Sequence, residues 1–335
     1  MEVLISNWSN VQSLPESYVF PPERRPGTDE ILASKDIPII DLEGINGPGR
    51  FEIVQHIMNA SQNCGLFQVI NHGVSRDLTD QTMRNFQEFF TSPAELKARF
   101  YSNDLNSSCR LYTSTLNSEK EDTHYWRDNL THQCHPLEDH IEHWPENPPD
   151  YRMLQQGDVC GLQALKDGRW IRIAPLRDAF VVIPGLQLRV ISNGKLASAV
   201  HRVVTNLKES RTTIGIFLTP SNDIQIRPAD GLLGCLTPMY RGYTYKEFFD
   251  RFTGNDCDAE KALGWKGGNW STERGGTFFK ESMVGVSATW LDAVESVWRS
   301  FTPTVQYDDG YDLSFRQLGM IDLQLRFSGT PFLCG

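Results

Sequence analysis

His201 sits in the apolar run ASAVHRVV, and ten residues later Arg211 opens the run RTTIGIFL with Thr213 two places beyond it. An imidazole held on a strand suits a borderline metal such as Fe(II), and a guanidinium offers a two-pronged fork to a dicarboxylate. Strand alternation puts His201 on one face with Ala199 and Val203, where a barrel interior has room for both groups. Spacing alone leaves the plainer alternative open: a hydrogen-bonded strand histidine and a solvated arginine. Two other groupings of ligand-type residues occur upstream. His140-Ile-Glu142 forms an H-x-E, and His124, His132, Cys134, His135, His140 and His143 lie close together in the chain. The H-x-E falls in EDHIEHWPENPPD, which has three prolines and no strand alternation, and the larger group fits no zinc spacing frame.

The elements that would position His201 and Arg211 begin near residue 37. IPIIDL (37–42) reads as a short strand. Phe51, Val54, Ile57 and Met58 keep helical spacing up to Asn63, with Gly65 as the stop before the strand LFQVI. Ser75 opens a second helix striped by Leu78, Met83, Phe86, Phe89 and Phe90, and S-P-A-E at 92–95 opens a third with Ser92 as its cap. After Asp150 the pattern turns to antiparallel sheet. LQALKDGRWIRIAP carries Asp-Gly between apolar runs, the strongest short-range hairpin signal. Leu186, Leu188 and Val190 alternate with Gln187 and Arg189, and further strands are expected at 179–183, 199–205, 212–218 and 223–227. That makes about seven strands, one short of a closed jelly roll. YTYKEFFDRF returns to helical spacing. Residues 264–335 show little steady periodicity, although WLDAVESVWRSF has Trp290, Val294 and Trp298 at helical intervals.

Composition sets the bounds. The chain has 335 residues, 39% hydrophobic and 22% charged, which is ordinary for a globular protein with one large core or two. A net charge of -10 repels phosphate backbones and anionic lipid, so neither nucleic acid nor a membrane is an expected partner. No apolar run is long enough to span a bilayer, and MEVLISNWSN has neither the basic nor the apolar region of a secretory leader. The seven cysteines are odd in number and form no C-x-x-C pair. Reduced thiols and a cytoplasmic location are the expectation.

GLFQVINHGV (65–74), YWRDNLTHQCHPL (125–137), CGLQALKDGRWI, VISNGKLASAVHRVVTN and SRTTIGIFLTPSND, in that order, resemble the plant 2-oxoglutarate and Fe(II)-dependent dioxygenases. SNWS, WRDNLTHQCHPL and WPENPPDYR are most similar to the hyoscyamine 6-dioxygenase branch. The resemblance implies an α+β chain with a double-stranded β-helix, or jelly roll, behind a mixed α/β N-terminal domain. It also implies a small-molecule substrate, an alkaloid- or flavonoid-like plant metabolite, and two bound participants, Fe(II) and the co-substrate 2-oxoglutarate. On that reading residues 1–36 are an N-terminal arm, 37–150 the N-terminal dioxygenase domain, 153–250 a partial jelly roll and 264–335 an unassigned tail. His201 corresponds to the family's distal iron histidine. Arg211 and Thr213 correspond to its R-x-S pair for the far carboxylate of 2-oxoglutarate, with threonine keeping the hydroxyl.

One departure from the family pattern is severe. PPDYR (148–152) runs directly into MLQQGDVCGLQ (153–163), where the family carries a long helix, the first barrel strands and an H-x-D iron motif. After His143 the only histidine is His201, so a barrel built from these strands lacks the second imidazole of a facial triad. The lost block also strips strands of pairing partners and leaves edges open. Two expectations follow side by side: a working hydroxylase of a plant metabolite, or a family member that has lost catalysis and acts at most as a small-molecule binding module.

Overall fold

A computed structural model describes residues 4–7, 13–25, 37–115, 118–133, 137–148, 162–204, 212–233, 237–254, 259–263 and 321–329. In chain order the strands are β1 (Ile39–Asp41), β2 (Phe67–Ile70), β3 (Cys109–Thr113), β4 (Asp128–Gln133), β5 (Leu162–Lys166), β6 (Arg169–Arg172), β7 (Phe180–Val182), β8 (His201–Val203), β9 (Thr212–Pro220), β10 (Gln225–Ile226), β11 (Tyr243–Thr244) and β12 (Ile321–Gly329). The helices are α1 (Arg50–Asn63), α2 (Arg76–Thr91), α3 (Ala94–Lys97), α4 (Leu137–His140), α5 (Leu186–Ile191), α6 (Asp230–Leu233), α7 (Tyr245–Gly254) and α8 (Ala259–Leu263). Among the described residues the strands pair in the orders β1-β2-β7, β6-β5-β8, β3-β4-β12-β9 and β10-β11.

Local sequence explains the first half well. Val54, Ile57 and Met58 of α1 are buried, although Phe51 of the same expected stripe is 63% exposed. Gly65 follows the helix at φ +65°, and a Cβ there would lie 2.8 Å from the Ala199 nitrogen. Only glycine satisfies both conditions. The Ser75 hydroxyl accepts from the Leu78 N–H at 3.4 Å and caps α2, whose Met83, Phe86, Phe89 and Phe90 are buried. Full burial of a side chain such as Phe86 is worth about 1.5–3 kcal/mol. Ser92 does not cap the third helix. It ends α2, its hydroxyl donating to the Phe89 carbonyl, and Pro93 takes the cap position of a single-turn α3. The single-turn α3 has no side-chain cap.

Asp167 and Gly168, at φ 50° and 74°, make the hairpin turn between β5 and β6, as a two-residue turn with both φ positive requires. The strand expected over Leu186–Val190 is instead α5. Leu186 and Val190 alternate, but they also stand four apart, which stacks them on one helical face. Val190 is buried with Ile226, Tyr243 and Phe248, and Leu186 packs on that cluster. The alternation L-Q-L-R-V was therefore compatible with either period, and burial of the i, i+4 pair decided it.

Residues 4–7 are not a loose arm. Leu4 joins Phe86, Phe89, Phe90, Phe100, Leu111, Leu130 and Trp144 in one core, with Ile214 of β9 packed against it. The fully buried Asp128 carboxylate accepts from the main-chain N–H groups of Ile5 (3.1 Å) and Ser6 (2.6 Å) and from the Thr113 hydroxyl (2.6 Å). Lys97, also fully buried, donates to the Phe90 carbonyl (2.6 Å) and the Ser6 hydroxyl (3.2 Å). Burial pushes its ammonium down to about 8, with Asp128 opposing. A buried charge needs such partners, and two of the three that Asp128 has come from a segment over 120 residues away.

The tail contributes a strand. β12 lies between β4 and β9, antiparallel to both, with all nine residues in register with β9 from Ile321↔Pro220 to Gly329↔Thr212. The helix expected at 290–301 lies outside the described residues. Among the described residues no helix is long and apolar enough to cross a membrane.

Candidate functional site

His201 begins β8, at the edge of the three-stranded sheet, opposite Ala164 of β5. Its approach is fixed by α1: the Ala197 N–H donates to the Ser61 carbonyl (3.0 Å) and the Ala199 N–H to the Gly65 carbonyl (3.2 Å). The neighbouring Arg202 locks the strand laterally, its guanidinium 3.9 Å over the Trp170 ring and its Nε donating to Gln163 Oε1 at 2.8 Å. The imidazole itself is exposed, with Nδ1 3.0 Å from the Ala199 carbonyl. A carbonyl only accepts, so that contact requires the proton on Nδ1 and leaves the Nε2 lone pair outward. A metal ligand is commonly oriented in this way.

Thr213 lies in β9, in a different sheet from His201, and its backbone is paired with Ser328 of β12. Its hydroxyl oxygen is buried and has no hydrogen-bond partner among the described residues. An orphaned buried hydroxyl is costly, and such a group marks either strain or a place where a polar ligand docks. Arg211 lies outside the described residues. No hydrogen bond or ion pair among the described residues joins His201 to Thr213.

Several of the remaining histidines are engaged elsewhere, although His140 Nδ1 is buried with no hydrogen-bond partner among the described residues. The Val74 N–H donates to His72 Nδ1 (3.3 Å), so Nε2 carries the proton to the Asp178 carbonyl (3.1 Å), and the ring stacks on Phe180 at 4.0 Å. Burial lowers its pKa. His132 is buried against Trp144, ring centroids 4.4 Å apart, and burial pushes its pKa down to about 3. It is a neutral core residue. His124 contacts Glu121 and His143 contacts Glu142. His140 and Glu142 fall in a helical turn and the 3-10 turn after it, and Cys134 and His135 lie outside the described residues. Among the described residues no three His, Cys, Asp or Glu side chains converge as a metal site. Among the described residues the donors do not make up the facial triad that iron would need, while the bare Thr213 hydroxyl suits a carboxylate oxygen. A groove of about 390 Å³ between β1 and α1, lined in part by Ile39, His56, Asn59 and Cys64, includes neither His201 nor Thr213.

Sequence reasoning overlooked β12. Its signal was present: I-D-L-Q-L-R-F-S alternates apolar and polar at every step from Ile321 to Ser328.

Comparison with known proteins now bears on this arrangement. Residues 37–150 match the family model for the N-terminal region of non-haem dioxygenases in morphine synthesis, and 149–220 match that of the 2OG-Fe(II) oxygenase superfamily. Flavanone 3-dioxygenase 2 of Oryza sativa subsp. japonica is 31% identical over 323 residues, covering 75% of this chain and 93% of the relative. Hyoscyamine 6-dioxygenase of Hyoscyamus niger is 31% identical over 343, covering 78% and 98%. Three quarters of a 335-residue chain cannot fill 323 aligned positions, so the first alignment opens gaps in this chain. The crystal structure of JOX2 in complex with 2OG, Fe and JA superposes with a TM-score of 0.60 at 24% identity, covering 74% of this chain and 92% of that one. Its likeness extends to the jelly-roll fold. With both family models in sequence along 37–220 and relatives matched over nearly their full length, the chain belongs to the 2OG-Fe(II) oxygenase superfamily, among the plant 2-oxoglutarate-dependent dioxygenases.

Proposed function

We propose that this chain is an oxygenase by descent which keeps the 2-oxoglutarate-recognising strand and lacks a complete iron cage, so that it turns over little or nothing. The observation that carries the reading is the donor count: His201 is the only histidine after residue 143, and no metal-type cluster forms among the described residues. A single imidazole supplies one of the three protein ligands that a facial triad needs. When bound in a complete site, Fe(II) supplies the oxygen activation of this family. What the chain's own residues do is recognition. The Arg211 guanidinium is the fork for the far carboxylate of 2-oxoglutarate, and the Thr213 hydroxyl donates to one of its oxygens. That donation relieves the orphan left in the unliganded fold.

The domain division supports the same reading. Residues 37–150 form the N-terminal domain, 153–250 a shortened jelly roll, and the substrate in the ancestral reaction is a small plant metabolite of alkaloid or flavonoid type, as the names of the two relatives suggest. The competing reading, a working hydroxylase, draws on identity near 30% along the whole family region. Anaerobic addition of Fe(II) and 2-oxoglutarate, followed by air, separates the two. The proposal expects 2-oxoglutarate to bind without a visible charge-transfer band and without succinate release. A band together with stoichiometric succinate overturns it.

A further inference from the structure

The position of β12 is unexpected for a segment that lies about a hundred residues beyond the family model's match, which ends at residue 220. It does not extend the sheet at a free edge. It fills an interior place, with six residues in register with β4 on one side and nine with β9 on the other. Neighbouring strands stand about 4.8 Å apart, so β4 and β9 are separated by roughly twice that distance, too far to hydrogen-bond directly. Without a strand between them, both would present unpaired N–H and C=O groups to each other across a slot.

The slot selects its occupant by pattern. The register sets position 327 between Leu130 and Ile214, and position 325 between His132 and Ile216. Leu130 and His132 are buried and Ile214 packs against the core that holds Leu130, while Ile216 is 45% exposed. Register position 327 therefore lies beside the core, and the sequence alternates apolar and polar from Ile321 to Ser328 with Phe327 at that position. A one-residue slip would bring Asp322, Gln324 and Arg326 to those register positions.

We propose that the space between β4 and β9 is a strand-acceptor site created by the shortening of the jelly roll, and that its ligand is this chain's own segment Ile321–Gly329. The C-terminal strand replaces sheet that the family builds from residues absent here. It also holds β9, and with it Thr213, on the core of the N-terminal domain. This inference does not depend on whether 2-oxoglutarate binds.

The test uses the full chain, a full-length Leu325→Pro variant and a synthetic peptide of residues 319–331, read by hydrogen exchange. Position 325 is paired on both sides, so proline there removes an N–H from one ladder whichever way it points. In the wild type, amides of 321–329 are expected to exchange at least a hundredfold more slowly than in the free peptide. In Leu325→Pro, protection of 128–133 and 212–220 falls at least tenfold, and added peptide restores it, while the peptide carrying the same proline does not. Free-peptide exchange rates for 321–329 in the wild-type chain overturn the proposal even if the variant fails to fold. So does restoration by both peptides alike.

Discussion

Replacing Thr213 with valine should make the unliganded protein more stable and deaf to 2-oxoglutarate. The two side chains are nearly isosteric, and a β-branched residue is retained in β9, so the pleat and local packing are kept. What changes is the hydroxyl, which is buried with no partner. An unsatisfied buried polar group costs about 1–3 kcal/mol, and a methyl in its place removes that cost. Unfolding in urea should therefore show a higher midpoint at unchanged m, with the free energy raised by about 1–3 kcal/mol. Wild-type protein should gain a further ~2.7 kcal/mol when 2-oxoglutarate is present at a hundred times its dissociation constant. The variant should gain almost none of it at the same concentration. Both measurements are made without iron, so they report on carboxylate recognition alone. If Thr213→Val is destabilised by more than about 1 kcal/mol, the hydroxyl has a partner and the argument fails. Equal stabilisation of both proteins by 2-oxoglutarate would place the ligand elsewhere.

Two further outcomes follow from the buried titratable groups. Asp128→Ala strands the N–H groups of Ile5 and Ser6, the Thr113 hydroxyl and the buried Lys97 ammonium at once, so chemical denaturation should show a loss of about 3–5 kcal/mol. A loss below about 1 kcal/mol would mean that residues 4–7 are not held by this carboxylate. His132 has a native pKa of about 3 against an ordinary 6.5, so between those values the unfolded chain binds the extra proton. Its contribution to stability is intact above pH 6.5 and is lost progressively as pH falls toward 3, by up to about 1.4 kcal/mol per unit. A pH series of urea midpoints on wild type and His132→Phe checks this, the variant lacking that slope.

How much was legible in the sequence depended on how local the deciding interaction is. The Asp167-Gly168 turn and the Ser75 cap are set within a few residues, and each forms where its spacing indicated, as does the stop at Gly65, whose positive φ is local although its close approach to Ala199 is not. Leu186 to Val190 was misread because one apolar pattern satisfied two periods until a distant cluster with Tyr243 and Phe248 chose between them. Asp128 gave no warning of its burial, because the groups that satisfy it lie in residues 5, 6 and 113. β12 announced itself as a strand by alternation but not where it would go, since its partners are β4 and β9. For the site, His201 and Thr213 could be named as candidates from the sequence. Their placement in separate sheets, and the bare state of the Thr213 oxygen, were not.

The interior place of β12 also sets a timetable for synthesis. β9 is uncharged along its whole length, with Ile216 and Phe217 among its more exposed residues, and the strand that pairs with it is encoded over a hundred residues later. At a ribosomal pace of about 5–20 residues per second, that interval lasts on the order of 5–20 s. During it the nascent chain displays a β-prone, charge-free segment of the kind that recruits chaperones or sticks to its neighbours. Soluble yield in a cell is therefore governed by how the growing polypeptide is shielded over those seconds, as well as by how firmly the finished sheet holds.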